Sequence, residues 1–135
     1  MRLAVIGSGK IVAEFLPHAH GIAGLELIAI VGTERSRDRL EKLSADAGIR
    51  RTYTDYDACL ADPEVDTVWI ALPNVLHADH ARRALLAGKH VVCEKPFVLS
   101  SADLAELRAI ATERDLILVE AISTQYLANV AWMRE

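Results

Sequence analysis

The chain has 135 residues, the size of one domain, and is 52% hydrophobic but only 5% aromatic, so its core must be built from Ala, Val, Leu and Ile. A formal net charge of −4 with no strongly basic segment argues against a nucleic-acid partner. No apolar run approaches the roughly 18 residues of a membrane span, and Cys59 and Cys93 lack metal-ligand spacing, as expected of reduced thiols in a cytoplasmic protein.

Residues 3–6 read as a short apolar strand that stops at Gly7, too short for the apolar core of a signal peptide. Gly7-Ser8-Gly9-Lys10-Ile11-Val12 follows, the start of a G-x-G-x-x-G/A dinucleotide fingerprint. Gly7 permits the tight turn, and Gly9 lets backbone approach a pyrophosphate. The helix that starts there aims its amide N–H groups and positive dipole end at the phosphates. A glycine turn with no ligand is the competing reading. The third position is Val12 instead of a small residue, so the helix is expected slightly farther from the sheet, with Ala13 absorbing part of the difference.

Spacing predicts a helix over 10–19, with Ile11, Val12, Phe15, Leu16 and Ala19 on one face, and a second strand over 25–31. At the end of that strand, where the fingerprint calls for an acidic residue, stand Thr33, Glu34 and Arg35. Glu34 can accept hydrogen bonds from an adenosine ribose and would repel a 2′-phosphate. Arg35 can pair with a 2′-phosphate or stack on adenine. The expected ligand is therefore NAD or NADP, tilted slightly to NAD. A helix over 36–47, capped by Ser36 and closed by Gly48, leads to a weak strand over 51–53 and a short helix over 56–60.

Residues 67–72 form a strand that is apolar on both faces. Pro73 fixes the turn after it, Asn74 can cap the next helix (76–87), and His77 falls in that helix's first turn, where the dipole favours a neutral ring. His77 and His80 lie three apart, but no carboxylate or cysteine cluster supports a metal, and none is expected. A strand over 90–93 runs into Glu94-Lys95-Pro96. A lysine at that edge can hold a substrate hydroxyl or carbonyl, or take part in proton transfer. A helix over 101–114 opens with Ser100 and Asp103 in capping-box positions, a last strand covers 116–119, and the tail from Gln125 reads as helical. Apolar strands alternating with helices predict an α/β fold: a Rossmann-type doubly wound parallel sheet of about six strands with helices on both faces.

Two stretches, AVIGSGKIV and DPEVDTVWIALPNVLHADHARRALLAGKHVVCEKPF, resemble the glucose–fructose oxidoreductase, inositol dehydrogenase and MocA family (Gfo/Idh/MocA). The resemblance covers the chain, but only the first half of a family member. It implies an NAD(P)-binding domain over 1–122 and, over 123–135, the start of a connection to a C-terminal substrate domain. It implies that Gly7, Ser8, Gly9, Lys10 and Ile11 line the pyrophosphate and that Thr33, Glu34 and Arg35 face the adenosine ribose. Leu72, Pro73, Asn74 and His77 would run along the cofactor to the nicotinamide. Glu94 and Lys95 would be the family's E-K-P, with Lys95 catalytic.

Two departures stand out beside these matches. Val12 replaces the small fingerprint residue, and Gln125 and Ala128 stand where many members carry arginine and proline. The implied activity is NAD(P)-dependent oxidoreduction at a hydroxyl or carbonyl carbon of a sugar-like or polyol substrate. The domain holding the substrate would follow this chain, the full-length protein would be a homo-oligomer, and the 135-residue piece alone would be inactive. A non-enzymatic NAD(P)-binding regulatory or sensor module is the alternative that the glycine turn fits equally well.

Overall fold

Five of the six strands are rich in Val, Ile, Leu and Ala and pair side by side without a break in the computed structural model, which describes residues 1–122. The strands are β1 (Arg2–Ile6), β2 (Glu26–Val31), β3 (Arg51–Tyr53), β4 (Thr67–Ile70), β5 (His90–Glu94) and β6 (Leu118–Ala121). All pairs are parallel, in the order β3-β2-β1-β4-β5-β6. This is the order of a dinucleotide-binding sheet, with its switch point between β1 and β4. β4 is buried along its whole length, as a central parallel strand must be.

The helices are α1 (Lys10–Ala19), α2 (Arg37–Asp46), α3 (Tyr56–Leu60), α4 (His77–Leu86) and α5 (Ser101–Glu113). Side chains alternate across each strand, so the sheet feeds two cores. On one face, Ala4, Ile6, Val68, Ile70 and Val91 meet α3, α4 and α5. On the other, Leu3, Val5, Ile30 and Trp69 meet α1 and α2. Val12 is fully buried there, so the valine of the third fingerprint position is part of the packing between helix and sheet. Ile11, placed on the same face by spacing, is 45% exposed instead, because the stripe of α1 that meets the sheet is Val12, Leu16 and Ala19 and Ile11 lies to its side. Over the β4-β5-β6 half of that second face lies an apolar groove of about 290 Å³, lined among others by Phe15, Trp69, Val92 and Ala121.

Three local expectations shift. Ser36 does not cap α2 through its side chain. Its hydroxyl donates to the Thr33 carbonyl and accepts the Thr33 N–H, closing a 3₁₀ turn over Glu34–Ser36 ahead of the helix. Ser100 does cap α5, accepting from the N–H groups of Ala102 and Asp103, while Asp103 turns to Arg82 at 3.6 Å. The last strand begins at Leu118, two residues later than the apolar run suggests. The Leu116 N–H bonds back to the Ala111 carbonyl and Asp115 takes a left-handed φ of 53°, so these residues finish the helix before the strand can start. The helix read from Gln125, and the departures at Gln125 and Ala128, lie outside the described residues.

Cys59 and Cys93 are both completely buried. Burial, aided by Asp62 at Cys59 and by Glu94 and Glu120 at Cys93, pushes each thiol from its ordinary 9.0 up to about 12. A thiol kept neutral by the fold contributes stability below pH 9 that is lost as pH rises from 9 toward 12, because only the unfolded chain ionises freely there. Neither cysteine is expected to react with a thiol reagent at pH 8 in the native protein, and both should react in urea. Rapid native modification would mean that the face carrying α4 and α5 opens.

Candidate functional site: the carboxyl edge of the sheet

The turns after β1, β2, β4 and β5 emerge at one edge, and the candidate cofactor-binding residues lie on them or on the strand and helix ends they join. Gly7 has φ +123°, and a Cβ on it would lie 2.5 Å from the Ala71 carbonyl oxygen. The turns after β1 and β4 thus touch at the switch point, and only glycine permits it. Gly9 differs. It sits in extended backbone as the N-cap of α1, and a Cβ there would meet nothing within 4 Å. The protein's own packing does not require glycine at position 9, and the space above it is open. No side chain caps α1 and its first turn holds no acidic residue, so its N–H groups and dipole face the space above Gly9. Ser8 is half-buried beside it. Lys10 is exposed and pairs loosely with Glu14 at 3.6 Å, and Ile11 presents an exposed apolar side chain.

After β2, Thr33, Glu34 and Arg35 are exposed on the 3₁₀ turn. The Glu34 carboxylate is already engaged. Arg37 donates to it from Nη2 at 2.7 Å and from Nε at 3.0 Å, and the Thr54 hydroxyl donates to Oε1. The Arg37 guanidinium first, and Thr54 second, hold its pKa below the usual carboxylate value. Arg35 has no ion pair among the described residues.

After β4, Leu72 is half-buried and Pro73 and Asn74 are exposed. A 3₁₀ turn over Asn74–Leu76 precedes α4, with Pro73 as its N-cap and no side-chain cap, so Asn74 does not serve as the expected helix cap. His77 is fully buried rather than open at the edge. Its Nε2 lies 2.8 Å from the Leu72 carbonyl oxygen, and its Nδ1 lies 3.0 Å from that of Pro96 and 3.2 Å from that of Phe97. His80 likewise bonds a carbonyl, that of Leu76.

After β5, Glu94 is half-buried and accepts from the Trp69 indole N–H at 3.3 Å. Lys95 is exposed, has no ion pair among the described residues, and precedes a cis bond to Pro96. The Phe97 ring is buried in the core, and the Phe97 N–H donates to Glu120 at 2.8 Å. Trp69 and Glu120 were not foreseen as site residues. Glu120 carries a signal in the sequence, a lone charge at the end of the apolar run LILV; Trp69 reads only as core.

The chain is similar to known proteins along its length. Residues 1–122 match the model of the family described as an oxidoreductase family with an NAD-binding Rossmann fold. An uncharacterized oxidoreductase of Rhizobium meliloti is 44% identical over 79% of this chain and 32% of its own length. The scyllo-inositol 2-dehydrogenase (NADP(+)) of Bacillus subtilis is 33% identical over 96% of this chain and 39% of its own. The crystal structure of KijD10, a 3-ketoreductase from Actinomadura kijaniata in complex with NADP, superposes with a TM-score of 0.91 at 34% identity, covering 98% of this chain and 42% of that one. The chain therefore spans about a third to two fifths of these relatives' length. With a parallel sheet in dinucleotide-binding order and a glycine turn at its switch point, the chain belongs to the Gfo/Idh/MocA oxidoreductase family and carries its NAD-binding Rossmann fold.

Proposed function

We propose that this chain is the cofactor-binding part of an NADP-preferring oxidoreductase that moves hydride to or from a hydroxyl or carbonyl carbon of a sugar-like or polyol substrate. The observation that carries this reading is Gly9: a glycine that the fold does not need, at the mouth of an uncapped helix, at the switch point of the sheet. The pyrophosphate would lie over Gly7, Ser8, Gly9, Lys10 and Ile11. The adenosine ribose would meet Thr33, Glu34 and Arg35, and the nicotinamide end would pass Leu72, Pro73 and Asn74 toward Glu94 and Lys95. The cofactor supplies the hydride chemistry and the protein supplies position and charge. Lys95 would hold the reacting oxygen and assist its proton transfer. The remaining substrate groups would come from the part of the relatives' length that this chain does not span. The relatives named above are oxidoreductases, dehydrogenases or reductases, and nothing favours the non-enzymatic module.

The preference for NADP replaces the tilt to NAD read from Glu34 in the sequence. Glu34 has its oxygens occupied and its charge offset by Arg37, whereas Arg35 is exposed and has a charge to offer a 2′-phosphate. Of the relatives described above, the inositol dehydrogenase is named for NADP(+) and the ketoreductase is in complex with NADP. NADPH is expected to bind at least about tenfold tighter than NADH in a fluorescence titration, and Arg35→Ala to remove most of that difference, as one charge-assisted hydrogen-bond pair would. Tighter binding of NADH would overturn the preference. Failure to bind either dinucleotide would overturn the function.

A further inference from the structure

His77 is an expensive residue to bury. It is fully enclosed, and a leucine or phenylalanine would fill comparable space without desolvating a polar ring. What the imidazole adds is a tie. One nitrogen faces the Leu72 carbonyl in the turn after β4, and the other faces the Pro96 and Phe97 carbonyls in the turn after β5. Carbonyl oxygens only accept and a neutral imidazole carries one N–H, so the ring donates to one turn at a time, while its place in the first turn of α4 holds it beside the other.

We infer that His77 is a positioning residue for Lys95, an inference that rests on the reading of Lys95 as the group that meets substrate. The Lys95 side chain is exposed and has no ion pair among the described residues, so the backbone beneath it decides where the ammonium stands. That backbone is held from three directions. Trp69 donates to Glu94 before it, Glu120 accepts the Phe97 N–H after it, and the Phe97 ring is sunk in the core. Those ties fix the turn to the sheet. His77 fixes it to the neighbouring turn, which carries Pro73 and Asn74. The two segments proposed to flank the nicotinamide therefore move as one, and the distance from Lys95 to a bound cofactor is set from behind.

The test uses the 135-residue chain with its lysines ¹³C-dimethylated, the Lys95 signal being assigned by its loss in Lys95→Arg. In the wild type the Lys95 signal is expected to shift when NADP⁺ is added. His77→Phe fills the space without a donor. It is expected to bind NADP⁺ within about threefold of wild type, to lose at least half of the Lys95 shift, and to exchange the Phe97 amide at least tenfold faster. His77→Gln keeps a side-chain donor and is expected to restore part of both. An unchanged Lys95 shift and unchanged Phe97 exchange in His77→Phe overturn the inference. So does exchange that rises equally at Val5 and Val68 in the sheet, because that would be packing alone. If wild type does not bind NADP⁺, the proposed function fails, while Phe97 exchange in the free protein still decides the tie.

Discussion

Gly7→Ala is expected to cost about 2–4 kcal/mol of stability and to abolish dinucleotide binding. Two effects add. The residue sits at φ +123°, where a side chain is strained by about 1–3 kcal/mol, and its new Cβ would stand 2.5 Å from the Ala71 carbonyl oxygen. That oxygen is backbone at the end of a buried strand, so relief requires the turn after β1 to separate from β4. The separation would open the switch point where the pyrophosphate is proposed to lie. Gly9→Ala is the control. Its Cβ meets nothing and its φ is ordinary, so the only cost is that of alanine at an N-cap, and stability should fall by no more than about 1 kcal/mol. Dinucleotide affinity should nevertheless fall at least about tenfold, because the methyl group would occupy the space of a close phosphate. Urea unfolding and cofactor titration of the two variants separate the roles. A Gly9→Ala protein that binds as wild type would remove the pyrophosphate from this turn.

Lys95→Ala is expected to lower turnover by about 10²–10⁴-fold, the usual worth of a positioned proton-transfer group. Cofactor affinity should change by less than about threefold, since most of the contact area is proposed to lie with the adenosine and pyrophosphate. Because the chain spans about two fifths of the Bacillus subtilis scyllo-inositol dehydrogenase, turnover is best read in a chimera in which residues 1–122 replace the matching domain of that enzyme. Lys95→Arg keeps the charge but hardly releases a proton, so it should recover little. Turnover within about threefold of the parent chimera in Lys95→Ala would show that the lysine is not in the reaction.

Much of the fold was legible in the chain. β1 to β5 and α1 to α5 appear within a few residues of where apolar spacing and turn residues place them, because a strand or helix is announced by periodicity over ten residues or so. The errors share one cause. Ser36, Leu116 and Asn74 each had a local role available, as cap, strand or cap, and each does something else: a turn with Thr33, the end of α5, and the opening of a 3₁₀ turn. Local patterns allow several hydrogen bonds, and the neighbouring element chooses among them.

By itself, the sequence determined the parallel order-forming pattern of strands and helices, the glycine turn, and the arrival of Lys95 at a strand end. All of these follow from residue type and short-range spacing. The tertiary structure decided which residues stand behind the site. Glu34 is engaged by Thr54, 20 positions away, His77 reaches Pro96 at 19, and Phe97 reaches Glu120 at 23. Such contacts depend on the register of the sheet, which sets one strand end beside another, and no short window of sequence carries that register.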